Sequence, residues 1–254
     1  LKGKEKAFVY IDTHAGAGRY DLQSAAMART GEYHDGIERL WRSSCPDLLA
    51  PYLGVVRNLN SDGLLRFYPG SPLLAQLLRR SQDRLMLSEL HSTDFPLLQS
   101  EFAGKPKSFL FQEDGYQMLK AALPPQERRG LVLIDPPYEL KQEYQDLIDG
   151  LQMALRRWRS GTYLIWYPVV LRHNVSGIEK RLSAIAPPKT LQIELNVLPE
   201  QDQPGMTGSG LLVINPPWQL ERQMTELLPW LTPLLAQSAE AGFRLRWLVP
   251  ESAT

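Results

Sequence analysis

The chain has 254 residues and a formal net charge of zero, 28 Lys and Arg against 28 Asp and Glu, so no global field draws it to nucleic acid and any such contact must use a local patch. A hydrophobic content of 43% suits one large domain, or two small ones, with a substantial core. The single cysteine, Cys45, excludes an intramolecular disulfide framework and fits a reducing, cytoplasmic compartment. No paired Cys/His cluster suggests a metal site, no apolar run is long enough to span a bilayer, and no secretory signal precedes the first strand.

Ala7 to Ile11 reads as a first buried strand, reached so soon after Leu1 that a further segment upstream is expected. Asp12-Thr13-His14-Ala15-Gly16-Ala17-Gly18 follows as a glycine loop, in which Gly16 and Gly18 let backbone amides approach a ligand. It fails as a dinucleotide fingerprint, because the third glycine position is Asp21 and no acid closes a second strand about 20 residues on. An acid at a strand end before Gly-x-Gly better resembles the S-adenosylmethionine loop of class I methyltransferases; a tight turn is the plainer alternative. Residues from about Thr30 to Asn60 look helical, with a break at Pro46, as an insertion between the first two core strands. Ser71 before Pro72 fits an N-cap of a helix over Leu73 to Arg80, with a hydroxyl left over for a ligand.

Arg84 to Leu90 is the second core strand, with Glu89 at its end, where a carboxylate can grip both hydroxyls of a ribose. Ser108 to Gln112 is the third; beyond it Asp114 can accept from an adenine amine and Gly115 admits close approach, although an Asx turn before a helix explains Asp114 equally well. Tyr144 to Trp158 is an amphipathic helix whose closing Arg156, Arg157 and Arg159 suit either the helix dipole or phosphates. Strands over Thr162 to Val170, Thr190 to Leu198, Gly210 to Asn215 and Phe243 to Val249 complete the pattern, with helices up to Ala186 and over Glu221 to Leu235.

The stretch around which these elements are organised is Leu131-Val132-Leu133-Ile134-Asp135-Pro136-Pro137-Tyr138. Its apolar run fits a strand buried on both faces of a parallel sheet. Asp135 then falls at the carboxyl end, where open α/β sheets bind ligands. Two prolines, lacking N–H donors, end the ladder and leave a carbonyl at Pro136. An acid, a carbonyl and the Tyr138 ring together suit an exocyclic amine: two acceptors for its hydrogens and a plate to stack the base. Asn215-Pro216-Pro217-Trp218 resembles the same signature, but it follows a later strand, expected to be antiparallel, and is read as structural.

With Tyr10 to Tyr20, Arg29 to Tyr33, Tyr68 to Pro72, Glu89 to His91, Ile134 to Glu139 and Trp166 to Arg172 in view, the chain resembles the bacterial 23S ribosomal RNA adenine-N6 methyltransferases of the RlmJ type over nearly its whole length. The resemblance implies a class I, Rossmann-like α/β domain over 1–254, with a mostly parallel seven-stranded sheet and a small helical subdomain inserted over 30–72. It implies S-adenosylmethionine as cofactor, lined by His14, Ser71, Glu89, Asp114 and Gly115, with Asp135 as the catalytic acceptor; to these the reading of the residues adds Asp12, Gly16, Gly18 and Asp135 on the cofactor side and Pro136 and Tyr138 at the reacting amine. It further implies 23S ribosomal RNA as partner; no metal, no membrane contact and a monomer are expected beside it. The family opens with a short segment ending in Lys-His that this chain lacks. The same family has been connected with the use of external DNA, which stands as the alternative.

Overall fold

The computed structural model describes residues 1–201 and 205–250. The chain runs β1 (Val9–Asp12), β2 (Arg19–Asp21), α1 (Ala25–Thr30), α2 (Glu32–Asp35), α3 (Ile37–Trp41), a 3₁₀ turn (Asp47–Leu49), α4 (Ala50–Leu59), β3 (Phe67–Pro69) and α5 (Ser71–Leu78). It continues with β4 (Arg84–Ser88), α6 (Asp94–Phe102), β5 (Ser108–Phe111), α7 (Gly115–Ala122), β6 (Gly130–Ile134), α8 (Lys141–Arg157), β7 (Thr162–Val169) and α9 (Arg172–Ala184). β8 (Thr190–Asn196), β9 (Gly208–Ile214), α10 (Leu220–Leu235) and β10 (Gly242–Val249) close it. The loop expected between β8 and β9 includes residues 202–204, which lie outside the described residues, as do the last four of the expected 1–254 domain.

One sheet of eight strands, in the order β10-β8-β9-β7-β6-β1-β4-β5, organises the molecule. β5, β4, β1, β6 and β7 are parallel, and β9 runs antiparallel between β7 and β8. The sheet therefore has one strand more than the expected seven: β10 adds itself to the edge, antiparallel to β8 from Gly242 opposite Asn196 to Val249 opposite Thr190. Alternation along the parallel strands loads both faces. Val9, Ile11, Val132 and Ile134 pack one way, under α7, α8 and α9. Tyr10, Leu85, Leu87 and Leu133 point the other way, against Leu98 and Phe102 of α6.

Residues between β1 and β4 build a cluster of their own, with Leu22, Ile37, Leu40, Leu53 and Val56 buried against one another and against Trp230, Leu231 and Leu234 of α10. The sequence pattern does not show the β2–β3 ribbon, which is only three residues long on each side. Short as it is, the ribbon fixes the glycine loop. Pairing of Arg19 with Pro69, and the bond from Gly70 N to Gly18 O at 2.8 Å, pin that loop to the start of α5. Among the described residues no helix is long and apolar enough to cross a membrane.

Candidate active site

The carboxyl ends of β1, β4, β5 and β6 open onto a cavity of about 1170 Å³. His14, Gly16, Glu89, Asp114, Asp135 and Pro136 line it. These six came from the sequence as site residues, and the fold brings them together. Asp12, Gly18, Ser71, Gly115 and Tyr138 are not among the residues that line it.

Asp12 lies beneath the cavity and not on its wall. It is the last residue of β1 and has no exposed surface. Its Oδ2 accepts from the Tyr10 and Ser71 hydroxyls, each at 2.7 Å, and its Oδ1 from the His14 amide at 3.3 Å. Burial pushes its carboxyl pKa up, against the pull of these donors. Ser71 lies beside it, and its expected place as N-cap is taken by Gly70. Ser71 is the first residue of α5, and its hydroxyl is committed to Asp12. The physical reason is the ribbon, which carries Ser71 over the end of β1, where a buried carboxylate requires donors.

Glu89 follows the last residue of β4 and clamps two turns. Its Oε2 accepts from Gly16 N and its Oε1 from His91 N, both at 2.7 Å. A carboxylate has about four lone-pair positions, so each oxygen retains one for a ligand. Asp114 fulfils the turn reading and stays available as well. It N-caps α7 through Oδ1, which accepts from Tyr116 N at 3.0 Å and Gln117 N at 2.9 Å; both of these bonds end on one oxygen. Gly115 works by closeness, since a Cβ there would sit 2.1 Å from the Thr13 carbonyl oxygen. Only glycine lets the start of α7 lie against the β1 loop. His14 shares a hydrogen bond with the Thr13 hydroxyl at 2.8 Å and meets the Tyr116 ring edge-on at 5.7 Å. Burial pushes its pKa down to about 4, so its imidazole is neutral at physiological pH.

Asp135 stands one residue beyond β6 and is half-buried on the cavity wall. Burial first, and the Asp12 charge second, push its pKa up to about 7. Pro136 lies beside it in the same wall. Tyr138 is not among the residues that line the cavity. With a φ of 57° it turns inward, its hydroxyl donates to the Trp166 carbonyl at 2.5 Å, and its ring rests 5.0 Å from Tyr144 and 6.1 Å from Trp166. The hydroxyl finds a backbone acceptor in β7, and that bond braces the turn.

Residues 5–249 match the family described as Ribosomal RNA large subunit methyltransferase D, RlmJ. The chain belongs to that family. It is 51% identical over 252 residues to Ribosomal RNA large subunit methyltransferase J of Escherichia coli, covering 99% of this chain and 90% of that protein. It is 49% identical over 253 residues to the protein of the same name from Haemophilus influenzae, with the same shares covered. A crystal structure of a Legionella pneumophila protein superposes with a TM-score of 0.90 at 35% identity, over 97% of this chain and 91% of that one.

For a methyltransferase of this family, the rest of the wall is informative. Asp94, Glu139, Glu143, Asp146 and Asp149 also line the cavity, so with Glu89, Asp114 and Asp135 eight carboxylates face it, and no lysine or arginine is among the lining residues described. Such a hollow suits a small cation that carries a sulfonium and an ammonium group. Five of these acids, Asp94 and the four from Glu139 to Asp149, are not among the site residues read from the sequence; for the latter four a signal was present. That signal was their recurrence at 139, 143, 146 and 149, near helical spacing, closed by Gly150. A Cβ at Gly150 would lie 2.2 Å from the Tyr116 ring, so the glycine lets that ring pass beneath α8. Tyr116, not Tyr138, is the aromatic that lines the cavity. Among the described residues, no group of three His, Cys, Asp or Glu side chains is placed to hold a metal ion.

Proposed function

We propose that this chain transfers a methyl group from S-adenosylmethionine to the N6 amine of an adenine in 23S ribosomal RNA. The names of its relatives support the RNA class. One observation carries the chemistry: Asp135, just past a parallel strand and next to Pro136, faces an acid-lined cavity with its carboxyl held near neutrality. When bound, the cofactor supplies an electrophilic methyl group. Glu89 offers free lone pairs to the ribose hydroxyls, Asp114 offers its second oxygen to the purine amine, and His14 stays uncharged beside the cation. The acids of α8 add a field favourable to that cation.

The protein's main task is to place the target amine. Asp135 and the Pro136 carbonyl accept its two N–H donors, which orients the nitrogen lone pair toward the methyl group. As the nitrogen gains the methyl it becomes cationic and must shed a proton, which the Asp135 carboxylate takes. A carboxyl with a pKa near 7 is a competent acceptor at neutral pH. The target base has to leave its stack, at a cost of a few kcal/mol that is smallest in a single-stranded segment.

The test is transfer of tritiated methyl from labelled cofactor to 23S ribosomal RNA, followed by mapping of the labelled base. The expected product is N6-methyladenine, with label absent when Asp135 is replaced by alanine although S-adenosylhomocysteine still binds in calorimetry. Near-normal turnover in that variant overturns the assignment.

A further inference from the structure

The cavity that fits a cationic cofactor is poorly suited to a polyanion. Its eight carboxylates, with no lysine or arginine beside them among the described residues, repel the phosphates on either side of a target base. The opposite edge of the sheet has the reverse character. Arg156 and Arg157 end α8, Arg159 lies in the turn into β7, and Arg128 stands two residues before β6; all four are exposed. Arg156 and Arg128 have no side-chain partner among the described residues. Arg157 donates to the Leu123 carbonyl at 3.0 Å and Arg159 to the Ala186 carbonyl at 2.9 Å, which leaves most of their donors unused. A helix dipole accounts for arginines in the last turn of α8. It does not account for Arg159 or Arg128, which lie in loops.

The second proline pair delivers an aromatic ring to that edge. Asn215 follows β9, whose last residue pairs with Tyr163 at the start of β7. Its Nδ2 donates to the carbonyls of Arg159 at 2.9 Å and Gly161 at 2.7 Å, so it is stitched directly into the arginine turn. Three residues on, Trp218 is 83% exposed, more than any other large apolar side chain described. Two prolines before it stiffen the presentation. By register, Asp135 lies level with Trp166 of β7 and Asn215 level with Thr162; four residues at about 3.3 Å each put the two motifs roughly 13 Å apart along the strands.

We infer that Trp218 and the arginines of the same sheet edge form a second RNA-binding surface, in which the indole stacks on an unpaired base and Arg128, Arg156 and Arg159 take phosphates. It supplies the electrostatic grip that the catalytic cavity denies itself. An RNA far larger than the enzyme reaches both edges. The inference rests on the reading of RNA as substrate.

The test compares wild type, Trp218→Ala, Trp218→Tyr and the Arg156→Ala/Arg159→Ala double variant. Affinity for a protein-free 23S ribosomal RNA fragment is measured by fluorescence anisotropy across a potassium chloride series, beside KM and kcat on the same RNA and calorimetric affinity for S-adenosylhomocysteine. Trp218→Ala is expected to raise Kd and KM roughly tenfold, with Trp218→Tyr recovering most of the loss. The arginine double variant is expected to lower the slope of log K against log salt by roughly 1.4 to 1.8. Neither changes cofactor affinity or kcat at saturating RNA. Unchanged Kd, KM and salt slope in variants that bind S-adenosylhomocysteine normally overturn the inference. So does a wild-type dimer that Trp218→Ala dissociates, which would make this face an interface between copies. Failure of wild type to methylate RNA would count against the substrate reading, and the anisotropy, which needs no turnover, would still decide the surface.

Discussion

Two tetrapeptides in this molecule look almost alike: Asp135-Pro136-Pro137-Tyr138 and Asn215-Pro216-Pro217-Trp218. Each follows a buried apolar strand and ends in an aromatic residue. Their fates differ because the strands run in opposite directions. β6 is parallel to β1 and β7, so Asp135 emerges at the carboxyl edge, on the cavity. β9 is antiparallel to β7, so Asn215 emerges at the opposite edge and closes a turn with its side-chain amide. Even the aromatics are reversed. Tyr138 turns inward to a carbonyl, and Trp218 stands in solvent. Strand direction thus decides which of two similar motifs faces the cavity.

The largest expected effect tests the first motif. Asp135→Ala should lower kcat by about 10²–10⁴, the usual worth of a positioned proton acceptor, while cofactor affinity stays measurable. The matching change in the second motif should do the opposite. Asn215 holds two carbonyls and sits at a φ of 51°, so Asn215→Ala should cost about 2–3 kcal/mol of stability, from two hydrogen bonds and a left-handed backbone that alanine tolerates poorly. Methyl transfer per folded molecule should be unchanged. A thermal melt beside a turnover assay reads both, and the contrast fails if Asn215→Ala slows chemistry in fully folded protein.

A pH series sharpens the same contrast. The Asp135 carboxyl, pushed up to about 7 from an ordinary 3.8, must be ionised to take the amine's proton. Thus kcat/KM should rise with pH up to about 7 and fall roughly tenfold per unit below it. The kcat profile should lie lower, because a bound cation favours the carboxylate. His14 does not confuse the reading, since it titrates near 4. The sign for stability is the reverse. A raised carboxyl pKa means that the folded protein holds this proton more tightly than the unfolded chain. Its contribution is complete below 3.8 and is lost as pH rises through about 7. Asp135→Asn should remove that slope from the unliganded protein, and Asn215 variants should keep it.

The four strand-end acids were legible because each closes an apolar run, and strand order already assigned the decoy to the antiparallel strand. What the sequence did not show was which acids face outward. Glu89 and Asp135 stand one residue beyond their strands and Asp114 caps the helix after its own, so these three are free to turn toward the cavity. Asp12 is still within β1. Its side chain follows the pleat into the interior, and a ribbon of three-residue strands, too short for periodicity to reveal, seals it there with Ser71. The acidic face of α8 was visible only as amphipathicity, because helical spacing says which residues share a face but not what that face covers.

The smallest effect concerns the two aromatics. If Tyr138 were a stacking plate, Tyr138→Phe would keep its function, since the ring is retained. In the arrangement observed, the hydroxyl bond to the Trp166 carbonyl is what holds the turn after Pro137. Its loss should cost about 1 kcal/mol of stability and let Pro136 and Asp135 drift from the amine, lowering kcat severalfold while KM for RNA barely moves. A raised KM with kcat intact would instead restore Tyr138 to the substrate base. The phenylalanine variant separates these outcomes because it deletes one oxygen atom and leaves the ring contacts with Tyr144 and Trp166 in place.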